Sequence, residues 1–307
     1  MIDRIYVTKN ISMHEATYLK GATSICDPHR HSWYVQRGLL TPSIGLSKSS
    51  NGYTYTATLT FPVIPSAFPD KRFKIDTKRL ISVLDSINEL KKLSNPWLLS
   101  SIRFYNRIIN IYSEEYISLL YKGHKMKSIS MKRTVDDPLS PRLLEYKSKG
   151  AYLRISAEKY RLNFSLLVRK ERLKEYLKSR NLSDTRIYFK KLEKEMWTYY
   201  LGKLSGPGDY MTFNYAEDQI YKLDCTRKLK ERYIHLLRCV QYYKGLDNFL
   251  SKVTDPNFAE ISYFHNMATV NRDIRELGKA GINPVTISRR AAGKIDVFPN
   301  IISVLNL

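Results

Sequence analysis

Alternating polar and β-branched positions in the first third of the chain predict antiparallel strands. Tyr53 to Val63 is almost entirely β-branched or aromatic and follows the pair Asn51-Gly52. Such a pair between two apolar runs is typical of a tight hairpin turn. We therefore predict that Leu39 to Leu46 and Tyr53 to Val63 form an antiparallel pair.

A helical period follows between Asp76 and Leu93. Its apolar residues recur three and four positions apart, which predicts an amphipathic helix with Asp76 or Thr77 as the N-cap. They are Leu80, Val83, Leu84, Ile87, Leu90 and Leu93.

In the middle of the chain, some segments repeat apolar residues every two positions and others about every 3.6 positions. We predict strands at Ile102–Tyr112, Tyr116–Tyr121 and Tyr160–Val168, and helices at Leu139–Tyr146 and Arg169–Ser179.

The last third is helical in pattern. A helix is predicted from Asp184 to Leu201, and Gly206-Pro207-Gly208 then breaks the pattern, so we place a domain boundary between 1–205 and 209–307. Further helices are predicted at Tyr215–Asp224, Thr226–Leu246 and Met267–Gly278. The predicted fold class is α+β: a mostly antiparallel sheet with helices packed on one face, followed by a helical C-terminal region.

Positive charge is the strongest compositional signal. The 307 residues include 51 Lys and Arg against 29 Asp and Glu, a formal net charge of +22. From Tyr121 to Lys203, 22 residues are basic and 9 acidic, so this segment carries +13, with eight tyrosines interleaved. Cations that meet phosphates and rings that stack on bases are typical of a nucleic-acid groove. A solvated basic face and a surface for anionic lipid are the alternatives.

Cysteine usage and hydropathy favour a cytoplasmic protein. Cys26, Cys225 and Cys239 are odd in number and lack CxxC spacing, which argues against a disulfide framework and a structural zinc site. The N-terminus has no apolar run typical of a signal peptide, and no stretch is long enough to span a membrane. We therefore expect no membrane partner.

Several short segments resemble, in order, the replication initiation proteins of filamentous phages and related plasmids, the gene II and gene X type. The segments are Met1–Asp3, Val83–Ser94, Arg107–Tyr112, Ile117–Lys127, Ser140–Tyr146, Leu162–Lys174 and Val270–Ile282.

The resemblance implies rolling-circle DNA replication initiated by strand-specific nicking and rejoining. It further implies a tyrosine nucleophile on a split βαβ sheet, a phosphotyrosine intermediate and a divalent metal, Mg or Mn. The implied partners are DNA, single-stranded or an origin hairpin, and host replication proteins in the cytoplasm of a bacterial host.

Tyr121 matches the nucleophile of this resemblance, and Lys122 or His124 would assist it. The family places a lysine two residues after its tyrosine, where this chain has Gly123. Adjacent strand positions face opposite sides, so Lys122 would need a bulge at Gly123 to reach Tyr121. The alternative interpretation is a tyrosine at the edge of the core followed by solvated lysines.

His29-Arg30-His31 is the only His-x-His pattern and the candidate metal pair. On a strand, this spacing would put both imidazoles on one face, and imidazole binds borderline divalent ions. Two solvated histidines on a surface turn are the alternative.

Phosphate contacts are predicted for Arg154, Arg161, Arg169, Lys170, Arg172 and Lys174. In the C-terminal region, Thr269–Gly278, a turn, and Val285–Ala292 with Arg289 and Arg290 have the layout of a helix-turn-helix or of a packing hairpin. Two other functions stay open: a non-catalytic single-stranded nucleic-acid-binding protein on a related scaffold, and a structural protein that meets an acidic partner.

Overall fold

The computed structural model describes residues 1–50, 52–63, 76–91, 93, 96–110, 112–133, 142–184, 187–254, 266–288 and 295–306. The strands are β1 (Ile2–Ser12), β2 (Ser43–Lys48), β3 (Thr54–Pro62), β4 (Leu98–Ile109), β5 (Ile129–Arg133), β6 (Arg142–Lys147), β7 (Ala151–Glu158), β8 (Arg161–Arg169), β9 (Tyr210–Met211) and β10 (Val297–Phe298). The helices are α1 (Met13–Gly21), α2 (His31–Val35), α3 (Thr77–Asp85), α4 (Asn88–Lys91), α5 (Ser113–Gly123), α6 (Lys170–Tyr176), α7 (Phe189–Ser205), α8 (Phe213–Tyr221), α9 (Arg227–Tyr242), α10 (Leu246–Val253), α11 (Met267–Lys279) and α12 (Ile301–Val304).

An antiparallel sheet of eight strands organises the fold, in the order β2-β3-β1-β4-β8-β7-β6-β5. The predicted hairpin is confirmed, because β2 pairs with β3 from Ser43 opposite Thr60 to Lys48 opposite Tyr55. β1 pairs antiparallel with β3 on one side and with β4 on the other. The predicted α+β class is therefore confirmed.

Burial alternates along the long strands, as expected for a sheet with one covered face. In β1 the inward residues include Ile5, Val7 and Ile11, and in β8 they are Leu162, Phe164, Leu166 and Val168. Helix α1 packs on β1 and β3. The outward positions of the same strands carry most of their polar side chains.

Two of the predicted elements are wrong in type. Tyr116–Tyr121 belongs to helix α5 and not to a strand, because Tyr116, Ile117 and Leu120 bury one helical face. Leu139–Tyr146 is not a helix over its described part, because Arg142–Lys147 is a strand that pairs with β5.

Other predicted boundaries shift. The helix predicted over Asp76–Leu93 is divided into α3 and α4, although Asp76 is confirmed as an N-cap whose side chain accepts from the Arg79 N–H. The helix predicted over 184–201 begins at Phe189 and continues through Gly202 to Ser205. β1, α1 and β7 were not predicted.

The predicted helix-turn-helix fails at its second helix. α11 confirms the first helix, but Val285 to Ser288 is not helical, and the Ile287 N–H donates to the Met211 carbonyl at 2.8 Å. Arg289 and Arg290 lie outside the described residues.

Contacts divide the chain into two compact units. The first comprises Met1–Asn106, Lys147–Leu153 and Phe164–Glu195, and the second comprises Arg107–Tyr146, Arg154–Asn163 and Met196–Leu307. These units interleave along the chain, and the boundary between 1–205 and 209–307 stays a prediction. Within the described residues, no helix is long and apolar enough to cross a membrane.

Candidate nucleic-acid interface

Tyr121 lies on the last turn of α5, in the second unit. Its half-buried ring is 5.2 Å from the His124 imidazole, centroid to centroid. Side chains three residues apart lie on the same side of a helix, whereas the side chains of adjacent residues point about 100° apart around the helix axis. The expected bulge at Gly123 does not exist: Gly123 is the buried end of α5, and a Cβ there would lie 3.3 Å from the Leu204 carbonyl oxygen.

Desolvation acts on the ionisable side chains that follow Tyr121, although Lys125 is exposed at the surface. Desolvation lowers the pKa of Lys122, with a smaller contribution from the Arg142 guanidinium, and desolvation also lowers the pKa of Lys125. Burial lowers the pKa of His124 too, while Asp247 and the Met126 backbone act in the opposite direction. The His124 side chain is only 9% exposed, and its Nδ1 has no hydrogen-bond partner among the described residues.

His29 and His31 do not lie on a strand, so the one-face argument for a metal pair is wrong. His29 is in a short 3-10 turn, Pro28–Arg30, and His31 begins α2. Both are exposed, and His31 Nδ1 lies 3.3 Å from the Thr41 hydroxyl. Within the described ranges, no three His, Cys, Asp or Glu side chains converge. Among the described residues, His29 and His31 therefore do not form the strand pair of metal ligands that was predicted.

Arg154 and Arg161 are exposed on the strands that flank the β7–β8 turn of the second unit. The turn itself presents Tyr160, which is 51% exposed, with Lys159 Nζ 5.5 Å from its ring centroid. Nearby, Arg107 Nε donates to Asn163 Oδ1 at 2.9 Å. This end of the hairpin therefore combines cations with one accessible aromatic ring.

A denser group of cations lies in the first unit, where the β6–β7 turn meets the end of β8. The Arg169 N–H donates to the Gly150 carbonyl at 2.8 Å, and Arg169 Nη1 donates to the Ser148 carbonyl at 3.4 Å. A Cβ on Gly150 would lie 3.0 Å from the Arg172 Cβ, so the turn sits directly on α6. The two chain segments that meet here carry five exposed cations, which we call the turn cluster: Lys147, Lys149, Arg169, Lys170 and Lys174.

Aromatic rings accompany the turn cluster. Lys147 Nζ lies 5.4 Å from the ring centroid of Tyr152, and the Tyr176 ring is exposed at the end of α6. Rings and cations therefore occur together within one compact unit, as expected for a surface that contacts both bases and phosphates.

Arg172 differs from the other predicted phosphate contacts. Its side chain is 15% exposed, pairs with Glu175, and donates to the Tyr176 hydroxyl at 2.9 Å. Its guanidinium also lies 4.7 Å from the Tyr176 ring centroid. These contacts hold Arg172 within its own helix, where it orients Tyr176.

Two members of the turn cluster, Lys147 and Lys149, were missed in the sequence. The Ser148-Lys149-Gly150 segment has turn composition, but a helix was predicted directly before it. Comparison with known protein families, with curated proteins and with solved structures finds no match to this chain.

Proposed function

We propose that this protein binds single-stranded nucleic acid by contacting its phosphates with the turn cluster. The observation that carries this proposal is the presence of five exposed cations on two chain segments that meet at one turn, where the Arg169 N–H donates to the Gly150 carbonyl at 2.8 Å. Lysine and arginine at high density suit phosphate tracking, and no Asn or Gln is present among them to bind an adenine edge.

A single strand fits better than a duplex because of the tyrosines. Tyr152 lies beside Lys147 of the turn cluster, Tyr176 is exposed at the end of α6, and rings of this kind can stack only on bases that are unpaired. Each stacked base is worth about 1–3 kcal/mol, and stacking is tolerant of sequence. The expected binding is therefore tight at low salt and weakly selective.

Salt dependence of binding to a fluorescent thymidine oligonucleotide tests this proposal. If the five cations each neutralise one phosphate, log affinity should fall against log salt with a slope of about −3.5. The triple variant Lys149→Gln, Lys170→Gln, Lys174→Gln should make the slope shallower by about 2 and weaken all sequences alike.

The matched control removes the same charge elsewhere in this unit. Lys190, Lys191 and Lys194 are exposed on α7, so replacing all three by Gln should leave most of the slope intact. A wild-type slope shallower than about −1, or equal losses in both triple variants, would exclude the turn cluster as the binding surface.

A second candidate function is initiation of rolling-circle DNA replication by strand nicking and rejoining. The observation that favours it is the pairing of Tyr121 with His124 at 5.2 Å, beside Lys122 and Lys125. The phenol oxygen would form an ester bond to phosphorus as the bond from phosphorus to the 3′ oxygen breaks. The phenolic proton would end on that oxygen, giving a 5′-phosphotyrosine and a free 3′-hydroxyl.

Denaturing electrophoresis of the protein with a labelled single strand tests this candidate, with Mg or Mn supplied. A labelled adduct should form, disappear in Tyr121→Phe, and persist in Tyr176→Phe and Tyr188→Phe. If the adduct persists in Tyr121→Phe, another residue is the nucleophile. If no adduct forms with either ion while binding is retained, the protein binds DNA without cutting it.

A further inference from the structure

Lys9 is a lysine inside the core of the first unit. It occupies an inward position of β1, between Val7 and Ile11, and is 4% exposed. Its Nζ donates to the Leu93 carbonyl at 3.0 Å and lies 5.4 Å from the Trp97 ring centroid. In the part of the chain that the structure describes, no carboxylate forms an ion pair with it.

The charge and the hydrogen-bond donors of this buried ammonium group are only partly compensated. It has three donors, of which the carbonyl uses one, and the ring offers a further weak attraction. Burial lowers the pKa of Lys9, and the Glu15 carboxylate opposes this effect only in part. Glu15 is already engaged, because it accepts from the Ser12 N–H at 2.7 Å in the capping box of α1.

A cavity of about 180 Å³ adjoins the buried amine. Its lining combines apolar side chains, among them Leu84, Leu90, Trp97 and Leu182, with the buried Lys9 and with the exposed polar residues Asp85, Lys91 and Ser183. Apolar side chains beside a few polar groups are the usual construction of a small-molecule site.

We propose that this cavity binds a small monocarboxylate with a flat apolar body. The carboxylate would pair with Lys9 and supply the counter-charge that the protein does not, while the body would pack against Trp97 and the leucines. Among the lining residues Lys9 is the buried cation and suits a single negative charge, whereas Lys91 and Asp85 are exposed and carry opposite charges. This proposal does not depend on nucleic-acid binding.

Benzoate and benzamide form a matched pair of probes, because they share a ring and differ in charge. Calorimetry on the wild-type chain should detect benzoate binding, with benzamide at least tenfold weaker, and benzoate should raise the melting temperature as its concentration rises. Thymidine, a neutral nucleoside, should not bind. Lys9→Met should weaken benzoate at least tenfold, whereas Lys20→Met, at an exposed position of α1, should not change its affinity.

Three outcomes would overturn the proposal. They are no benzoate binding at about 10 mM, ten times a dissociation constant of about 1 mM; benzamide or thymidine bound as tightly as benzoate; or unchanged benzoate affinity in Lys9→Met. If Lys9→Met does not fold, Lys9→Gln replaces it. The comparison of benzoate with benzamide needs no variant and decides the role of charge by itself.

Discussion

Individual cations in this chain differ first in burial. Lys9 and His124 are enclosed by protein and carry depressed pKa values, so folding disfavours their charged forms. Arg154, Arg169 and Lys170 are exposed to water. Only the second kind can neutralise phosphates without the desolvation cost of a buried charge, and the proposed binding of nucleic acid therefore rests on exposed cations.

His124 makes the stability of the fold depend on pH. Because burial lowers its pKa below 6.5, the unfolded chain takes up a proton in mildly acidic solution before the folded chain does. The contribution of His124 is therefore present above its unfolded pKa and is lost as the pH falls through its folded pKa. From pH 7 to pH 5, the free energy of unfolding measured in urea should fall more steeply for the wild type than for His124→Gln. The difference should correspond to the uptake of about one proton on unfolding.

The control for this prediction is His29→Gln, since His29 is exposed in a short turn. Its stability should follow the wild type across the same pH range. Parallel curves for the wild type and His124→Gln would show that the His124 ring is solvated.

Substitution of Arg172 should mainly lower the stability of the fold, whereas substitution of Arg169 should mainly weaken nucleic-acid binding. Arg172→Ala removes contacts to Glu175 and Tyr176 and should lower the free energy of unfolding by about 1 kcal/mol. Arg169→Ala keeps the backbone bond to Gly150 and loses an exposed guanidinium, so it should weaken oligonucleotide binding with little change in stability. Urea unfolding and an oligonucleotide titration of both variants measure the two properties. Loss of binding in Arg172→Ala with loss of stability in Arg169→Ala would contradict these roles.

At the scale of elements, the sequence predicted the helices and strands whose apolar residues follow one unambiguous spacing. The β2–β3 hairpin and helices α9 and α11 have a clear turn signal or a long apolar stripe. Helix α5 was mistaken for a strand because Tyr116–Tyr121 is a short apolar run, and such runs fit either period. β1 was missed because Lys9 occupies an inward position and interrupts the alternation of apolar residues.

The same error hid part of the candidate site. In a strand, Tyr121 and His124 would face opposite sides, since they are an odd number of residues apart. In the structure Tyr121 lies on the last turn of α5, His124 follows the end of that helix, and their ring centroids are 5.2 Å apart. The turn cluster depends on long-range pairing of segments near residues 150 and 169, which local patterns do not encode.

The Gly206–Gly208 segment packs too tightly for any side chain at Gly208. Gly208 has φ +78°, and a Cβ there would lie 2.5 Å from the Ile282 carbonyl carbon. Gly208→Ala should therefore destabilise the chain by more than about 2 kcal/mol, through both strain and backbone overlap. Gly21→Ala is the control, because no atom lies within 4 Å of a Cβ at Gly21. Equal melting temperatures for the two variants would contradict this close packing.

For the whole molecule, a net charge of +22 acts against folding while it would favour the proposed binding of nucleic acid. Like charges repel more when the chain is compact, so the folded state loses stability at low ionic strength. Phosphate contacts gain affinity under the same conditions, because binding releases counterions. The two properties should therefore respond to salt in opposite directions.

These opposite responses lead to a prediction that concerns the charge of the whole molecule and not one site. Raising NaCl from about 50 to about 300 mM shortens the screening length to well below 10 Å and weakens repulsion between exposed charges. The melting temperature should then rise while affinity for a single strand falls. The Lys190, Lys191 and Lys194 to Gln variant removes three charges, so its melting temperature should be higher at low salt and should rise less. A melting temperature that falls with salt in the wild type would show that attractive ion pairs, such as Arg232 with Asp273 at 2.6 Å, outweigh the net repulsion.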